Sequence, residues 1–183
     1  SAGGLVPLPS GERVRIPLLM VYPDYFATVG MPIVSGRDFA TSDLGEQAPA
    51  VCIVNEAYVR KFVGAGNPIG RTCYTGRRAR LQSTTPTQTT QMEPFQIVGV
   101  VQDSRYTNPR GETQPLIYMT FLQTSTGRGQ MLLHLRVSGN PGLVVQRVRE
   151  EVSAIDAAMP MFDVHTLEEK MNAALVQQRL VAM

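Results

Sequence analysis

Residues 50–64, Ala50-Val51-Cys52-Ile53-Val54-Asn55-Glu56-Ala57-Tyr58-Val59-Arg60-Lys61-Phe62-Val63-Gly64, place a strand and a helix end to end. Ala50 to Val54 is an unbroken apolar run bounded by turn signals, the pattern of a buried strand. Asn55 then offers a side-chain oxygen to the free backbone amides of a helix start. Glu56 falls in the first turn, Arg60 and Lys61 in the last, and Gly64 sits just past the end, so the local charges agree with the helix dipole. Tyr58, Val59 and Phe62 form an inward stripe at spacings of three and four. A strand feeding a helix in this way makes the fold class α+β.

Towards the N-terminus, Val14, Ile16, Leu18 and Met20 occupy every second position, which predicts a half-buried strand over roughly 12–21. Pro23 and Asp24 open a short helix over Tyr25-Phe26-Ala27-Thr28-Val29, which Gly30 ends and Met31-Pro32 cannot continue. Ile33-Val34 is extended, and Ser35-Gly36-Arg37-Asp38 and Thr41-Ser42-Asp43 are turns.

Towards the C-terminus, Gln82 to Gln91 is nearly all Ser, Thr, Gln and Pro with no apolar anchor, and is expected to be a mobile loop. It would form the long tip of a hairpin between Arg71–Tyr74 and Phe95–Val101. Strands follow near Pro115–Phe121 and Met131–Val137. In the second, Met131, Leu133, Leu135 and Val137 share one face, and Gln130, His134 and Arg136 the other. Asn140-Pro141 starts a helix in which Val144, Val148, Val152 and Ile155 repeat at helical spacing, ending near Ala158. Pro160 breaks the pattern, and Met161-Phe162-Asp163-Val164 reads as a last strand. The unit over 130–165 is thus strand, helix, strand, a right-handed crossover if the strands are parallel. Thr166 and Glu169 form a capping box for a final helix with Leu167, Met171, Ala174 and Leu175 on one side.

Composition narrows the function. A chain of 183 residues with 43% hydrophobic side chains can bury a core, and its 17% charged content is below the usual quarter. A net charge of +2 gives no electrostatic footprint for nucleic acid, and Arg71, Arg77, Arg78 and Arg80, with only Tyr74 among them, read as a solvated loop. No apolar run reaches the length of a membrane span, and Ser1-Ala2-Gly3-Gly4 lacks the basic start of a signal peptide. Cys52 and Cys73 have no metal-ligand spacing. On neighbouring elements in an oxidising compartment they can pair, closing a short loop; otherwise they are two separate buried thiols.

No catalytic pattern survives inspection. Ala65-Gly66-Asn67-Pro68-Ile69-Gly70-Arg71-Thr72 mimics a phosphate loop, but Ala65 and Arg71 replace its first glycine and its lysine, and it follows a helix where a strand is required. No GxSxG elbow occurs, and Ser35 has neither flanking glycines nor a neighbouring histidine. His134 and His165 are the only histidines, and His134 lies on the polar side of its strand. Among the carboxylates, Asp38 and Asp43 make no acid/base pair, Glu150 with Glu151 and Glu168 with Glu169 face solvent, and Asp103 with Arg105 would make a local ion pair. No cofactor or metal is expected.

The order of short strings is more telling. Tyr25-Phe26-Ala27-Thr28-Val29-Gly30-Met31-Pro32 leads to Ser35-Gly36-Arg37-Asp38-Phe39. Ile53-Val54-Asn55-Glu56-Ala57 precedes Asn67-Pro68-Ile69-Gly70-Arg71. Phe95-Gln96-Ile97-Val98-Gly99-Val100-Val101-Gln102-Asp103 follows, and Ile155-Asp156, Met159-Pro160-Met161-Phe162-Asp163-Val164 and Thr166-Leu167-Glu168-Glu169 complete the series. Over about 20–170 this series resembles the periplasmic core domain of MacB/FtsX-like ABC-transporter permeases, in the form common in acidobacteria. Departures are Cys52, Cys73, Ala157-Ala158 where a proline is common, and the lengthened 82–91 loop.

The resemblance implies mixed sheets in two parts: a strand–helix–strand porter-like half over 129–183, and a second, inserted subdomain over most of 1–128. It implies an inner-membrane parent whose extracytoplasmic domain this is, with the first porter segment and a membrane helix ahead of Ser1. About 20 apolar residues are expected beyond Met183, continuing Leu180-Val181-Ala182-Met183, and a similar stretch upstream. The implied partners are an ABC ATPase subunit or domain, and a periplasmic adaptor; no catalytic residues carry over. Two other readings stand beside this one. A domain that captures a lipoprotein or hydrophobic substrate directly would show a sizeable apolar groove, and an enzyme would enclose His134 or His165 with a carboxylate.

Overall fold

The computed structural model describes residues 3–7, 13–45, 47–78, 90–104, 113–121, 131–166 and 168–169. The chain forms two compact units, Ser1–His134 and Leu135–Met183.

The first unit is built on a seven-stranded mixed sheet. Its elements in order are β1 (Gly3–Pro7), β2 (Arg13–Val21), helix α1 (Tyr25–Val29), β3 (Ile33–Gly36), a 3-10 turn (Thr41–Asp43), β4 (Val51–Asn55), helix α2 (Glu56–Tyr58), β5 (Thr72–Arg78), β6 (Thr90–Val101) and β7 (Ile117–Thr120). Across the sheet the order is β1-β2-β7-β4-β6-β3, with β5 paired to the other half of β6. β2 runs parallel to β7 and β4 parallel to β6, while β4 and β7 are antiparallel. β1 also comes to lie beside β5, so the sheet curls back on itself.

β4 explains why an unbroken apolar run folds as a strand. All five of its residues are buried. Because side chains alternate across a sheet, Cys52 and Val54 join one cluster with Ile16, Phe95, Ile97, Ile117 and Met119. Val51 and Ile53 join another with Phe26, Phe39, Leu116 and Tyr118. Each face is covered. Phe26 of α1 packs edge-on to Tyr118, with centroids 4.9 Å apart, while Tyr58 of α2 closes the opposite face with Phe62 beside it.

β6 carries a bulge. Cys52 pairs with Ile97 but Ile53 pairs with Gly99, so Val98 is an extra residue. The shift lets Val100 face one cluster and Val101 the other. It also brings β3 close: Gly36 pairs with Gly99, and the Arg37 amide donates to the Val98 carbonyl at 2.9 Å. Gly36 has φ +73°, and a Cβ there would fall on the Val98 carbonyl oxygen; a Cβ on Gly99 would fall on that of Arg37. The glycines in SGRDF and IVGVV are therefore a matched pair set by backbone contact.

Most local expectations for this unit are met. The first strand, the short helix with its left-handed Gly30, the 41–43 turn, the Asn55 cap and the β5–β6 hairpin all form. In the helix after Asn55, α2 gives way at Val59–Val63 to a π-turn that closes when the Gly64 amide donates to the Val59 carbonyl at 2.9 Å. Most of the loop expected to be mobile, at 82–91, lies outside the described residues.

The second unit contains α3 (Pro141–Ile155), capped where Asn140 Oδ1 accepts from the Gly142 amide at 2.9 Å. The capping box at Thr166 and Glu169 also forms, at 2.6 and 3.2 Å; of the final helix only residues 168–169 are described. Two expectations need correction. Neither 131–137 nor 161–164 is a β-strand here, because neither finds a ladder partner among the described residues. A strand owes its stability to such pairing. The apolar side chains of these segments consequently stay in solvent, with Met131 75% and Phe162 62% exposed.

Candidate functional site

Two of the ordered strings, the one holding Asn55, Glu56 and Ala57 and the one ending in Asp103, meet at the start of α2. Asn55, only 1% exposed, makes three hydrogen bonds on two sides. Its Oδ1 accepts from the Tyr58 amide at 3.1 Å, capping the helix, and from the Leu116 amide at 2.9 Å, while its Nδ2 donates to the Gln114 carbonyl at 2.9 Å. Strand β4, helix α2 and the lead into β7 are thus held by one side chain.

The neighbouring contact is reciprocal. Glu56 Oε2 accepts from the Asp103 amide at 3.0 Å, and Asp103 Oδ1 accepts from the Ala57 amide at 2.9 Å. A carboxylate at the free amides of a helix start satisfies them and complements the dipole. Asp103 Oδ2 also takes Arg60 Nη2 at 2.6 Å. Among the described residues Asp103 thus pairs with Arg60, forty-three positions away. Arg105, expected to pair with it, lies outside the described residues.

A second polar knot lies after β3. Arg37 binds Asp43 with both nitrogens, at 2.5 and 3.0 Å, and Asp43 Oδ2 accepts from the Ala40 amide at 2.8 Å. The Arg37 hydrogen bond is the largest influence holding the Asp43 carboxyl below its ordinary range; desolvation opposes it, and the Ala40 amide and the Arg37 charge add to it. The folded chain then binds this proton more weakly than the unfolded chain. The resulting stability is complete above about pH 4 and fades as pH falls through the lowered value. Asp38 has the opposite sign, since burial raises its carboxyl. Asp43→Asn is expected to destabilise the domain by about 1–3 kcal/mol at neutral pH and to flatten its acid limb. Urea midpoints taken down to about pH 3 check this, and an unaltered acid limb would show that the pair carries no pH dependence.

The phosphate-loop mimic is a docking turn. Asn67 Oδ1 accepts from the Ile69 amide at 3.0 Å, the Gly70 amide donates to the Ile97 carbonyl at 2.8 Å, and the Ile97 amide donates to the Arg71 carbonyl at 2.8 Å. Its backbone is committed to β6.

The two histidines belong to different units. His134 is half-buried and stacks edge-on against Tyr25, centroids 5.5 Å apart. His165 Nδ1 lies 3.3 Å from Asp163 Oδ1, but that carboxylate is largely exposed and no enclosure surrounds the two. Burial pushes the Tyr58 phenol up to about 12 and Tyr118 higher still, which keeps both neutral. Glu150 and Glu151 are exposed. Among the described residues no cluster of three metal-ligating side chains occurs, and no helix is long and apolar enough to cross a membrane. An open hollow of about 460 Å³ on α3 is lined by Ser138, Asn140, Leu143, Gln146, Arg147 and Glu150, with Val144. Cys52 and Cys73 stand on β4 and β5, the strands that both pair with β6.

The arrangement can brace a sheet. Reasoning along the chain missed the Arg37–Asp43 and Asp103–Arg60 pairs. The signal was available in part, since Arg37 and Asp103 both belong to the ordered strings.

Comparison with known proteins agrees with this picture. The family model described as MacB-like periplasmic core domain matches residues 7–160. The fold is similar to the crystal structure of the periplasmic region of MacB from Actinobacillus actinomycetemcomitans, with TM-score 0.57 and 18% identity, covering 85% of this chain and 63% of that one. It is also similar to a domain of a permease protein from Porphyromonas gingivalis, with TM-score 0.50 and 14% identity, covering 93% of this chain and 75% of that one. No curated protein sequence matches. At these identities the structural likeness concerns the fold, and the chain spans just under two thirds of the MacB periplasmic region.

Proposed function

Because this chain belongs to the MacB-like periplasmic core domains, a family of transporter-permease domains, we propose that it couples motion of its parent's membrane helices to export by engaging an adaptor or a substrate outside the membrane. The observation that carries the reading is the internal commitment of the family strings. Asn55, Glu56, Asp103, Gly36 and Gly99 all spend their contacts on joining strands and helix. The first unit, braced in this way, would move as one piece, which is what transmitting force requires, and ATP hydrolysis would belong to a separate cytoplasmic ATPase.

We assign residues 1–128 mainly to the inserted subdomain and 129–183 to the porter-like half. The segment 131–137, with Met131, Leu133 and Leu135 in solvent, suits a strand whose partner comes from the first porter segment of the parent. Direct capture of a lipoprotein or hydrophobic substrate is the second reading; the hollow on α3 is open to solvent and has Arg147 and Glu150 in its lining, where an enclosed apolar groove would favour capture.

Deleting this domain from the full-length parent should abolish export while leaving ATP hydrolysis by the nucleotide-binding domain in place. Export that persists in the deletion would remove the coupling role. An impermeant maleimide should label Tyr22→Cys, a 59% exposed position, in intact spheroplasts. Labelling only after permeabilisation would put the domain on the wrong side of the membrane.

A further inference from the structure

The chain has two cysteines, and nothing in the coupling role uses them. Cys52 is paired with Ile97 from one side of β6, and Cys73 with Phe95 from the other. In a flat sheet, strands on either side of a third stand about 9–10 Å apart. The curl of this sheet brings the two Cα atoms to 7.5 Å, and the sulfurs touch. Both residues are closed to water, at 0% and 1% exposure, in the cluster that includes Ile16, Phe95 and Ile97. That the only two cysteines in 183 residues should be the ones in contact is the observation to be explained. Two isolated thiols need no such meeting, whereas a bond between them does.

We propose that Cys52 and Cys73 form an intramolecular disulfide in the mature domain, a covalent clasp that passes over β6 and joins β4 to β5. The two thiols lose two protons and two electrons to an external disulfide, such as glutathione disulfide or a dithiol oxidase. That oxidant is reduced to two thiols through a mixed-disulfide intermediate. A separation of 7.5 Å is beyond the roughly 7 Å that a disulfide spans on a fixed backbone, so the bond requires β4 and β5 to move together by under about 1 Å. Since neither sulfur is accessible in the folded domain, exchange occurs while the core is still open. The bond closes the segment from Cys52 to Cys73, which contains α2, the π-turn and the docking turn at Asn67–Arg71. Its formation in the cell rests on the extracytoplasmic placement proposed above, because a reducing cytoplasm keeps thiols free.

The chain is reduced in denaturant, refolded in a glutathione redox buffer, then denatured without reductant in iodoacetamide and weighed. The expected product is a monomer lacking the mass of two hydrogens and carrying no alkyl group; two alkyl groups per monomer would overturn the proposal. Adding reductant to the bridged protein should lower its folding equilibrium constant about a hundredfold, read as a lower urea midpoint. The Cys52→Ala/Cys73→Ala variant should be indifferent to reductant, and an equal response in both proteins would again overturn the clasp. The mass measurement needs no variant, so it decides even if the double substitution prevents folding. It is also independent of where the parent resides, so a failed bridge and a failed membrane placement are told apart.

Discussion

Gly99→Ala is expected to destabilise the domain by about 3 kcal/mol or more, a large share of the roughly 5–15 kcal/mol available to a whole domain. The added methyl would meet the Arg37 carbonyl oxygen, with the Ile53 side chain 3.2 Å away. Since the obstacle is backbone, no rotamer change can relieve it. β3 would have to leave β6, breaking the Arg37 amide bond to Val98 and loosening the Arg37–Asp43 knot. Gly45→Ala is the control. Gly45 also has positive φ, +103°, yet nothing lies within 4 Å of its missing Cβ, so it should cost only the conformational penalty of about 1–2 kcal/mol. Urea unfolding of the two variants separates steric exclusion from backbone preference, and equal losses would rule out the close-approach account.

The second large effect is expected at Asn55. Asn55→Ala removes the cap of α2, which costs about 1 kcal/mol, and leaves the Leu116 amide and the Gln114 carbonyl without that partner, which adds about 1–3 kcal/mol. Asn55→Asp is the sharper probe. It keeps both acceptor bonds but sets a buried carboxylate against the Gln114 carbonyl, so its folded pKa should lie above the unfolded value. By linkage this variant is least stable at neutral pH and regains stability as pH falls through that raised pKa, where the protonated carboxyl can donate to Gln114. Denaturation midpoints relative to the parent sequence should converge in acid. A constant difference across pH would mean that the Nδ2 bond to Gln114 does not matter.

What could be read without the structure follows the range of the forces involved. Asn55 as a cap, Gly30 as a helix stop and β4 as a buried strand depend on residues within a few positions, and their chemistry is visible in the chain itself. β1 left no such trace, because Gly3-Gly4-Leu5-Val6-Pro7 has no alternation and is held by pairing with β2. The alternation at Met131–Val137 was real, yet alternation specifies only which way side chains point, and a ladder needs a second strand. The pairing of Asp103 with Arg60, on the π-turn after α2, was not legible, since chain topology decides which distant cation a carboxylate meets. The π-turn was invisible because Tyr58, Val59 and Phe62 fit a regular helix equally well. The ordered strings did point to the fold, and Gly36, Asn55, Glu56, Gly99 and Asp103 now have physical reasons for being where they are.

The parallel pairing of β2 with β7, Leu18 opposite Ile117, has a consequence for biogenesis. A chain that emerges N-terminus first offers β2 its local partner β1 almost at once, but the other edge must wait for about 100 more residues, some 5–20 s at ordinary synthesis rates. During that interval the apolar face around Ile16 is uncovered and one sheet edge is open to wrong partners. Nascent domains of this topology should therefore depend on a holding chaperone at the site of emergence, and their yield should respond to the speed of translation more than to the stability of the finished fold.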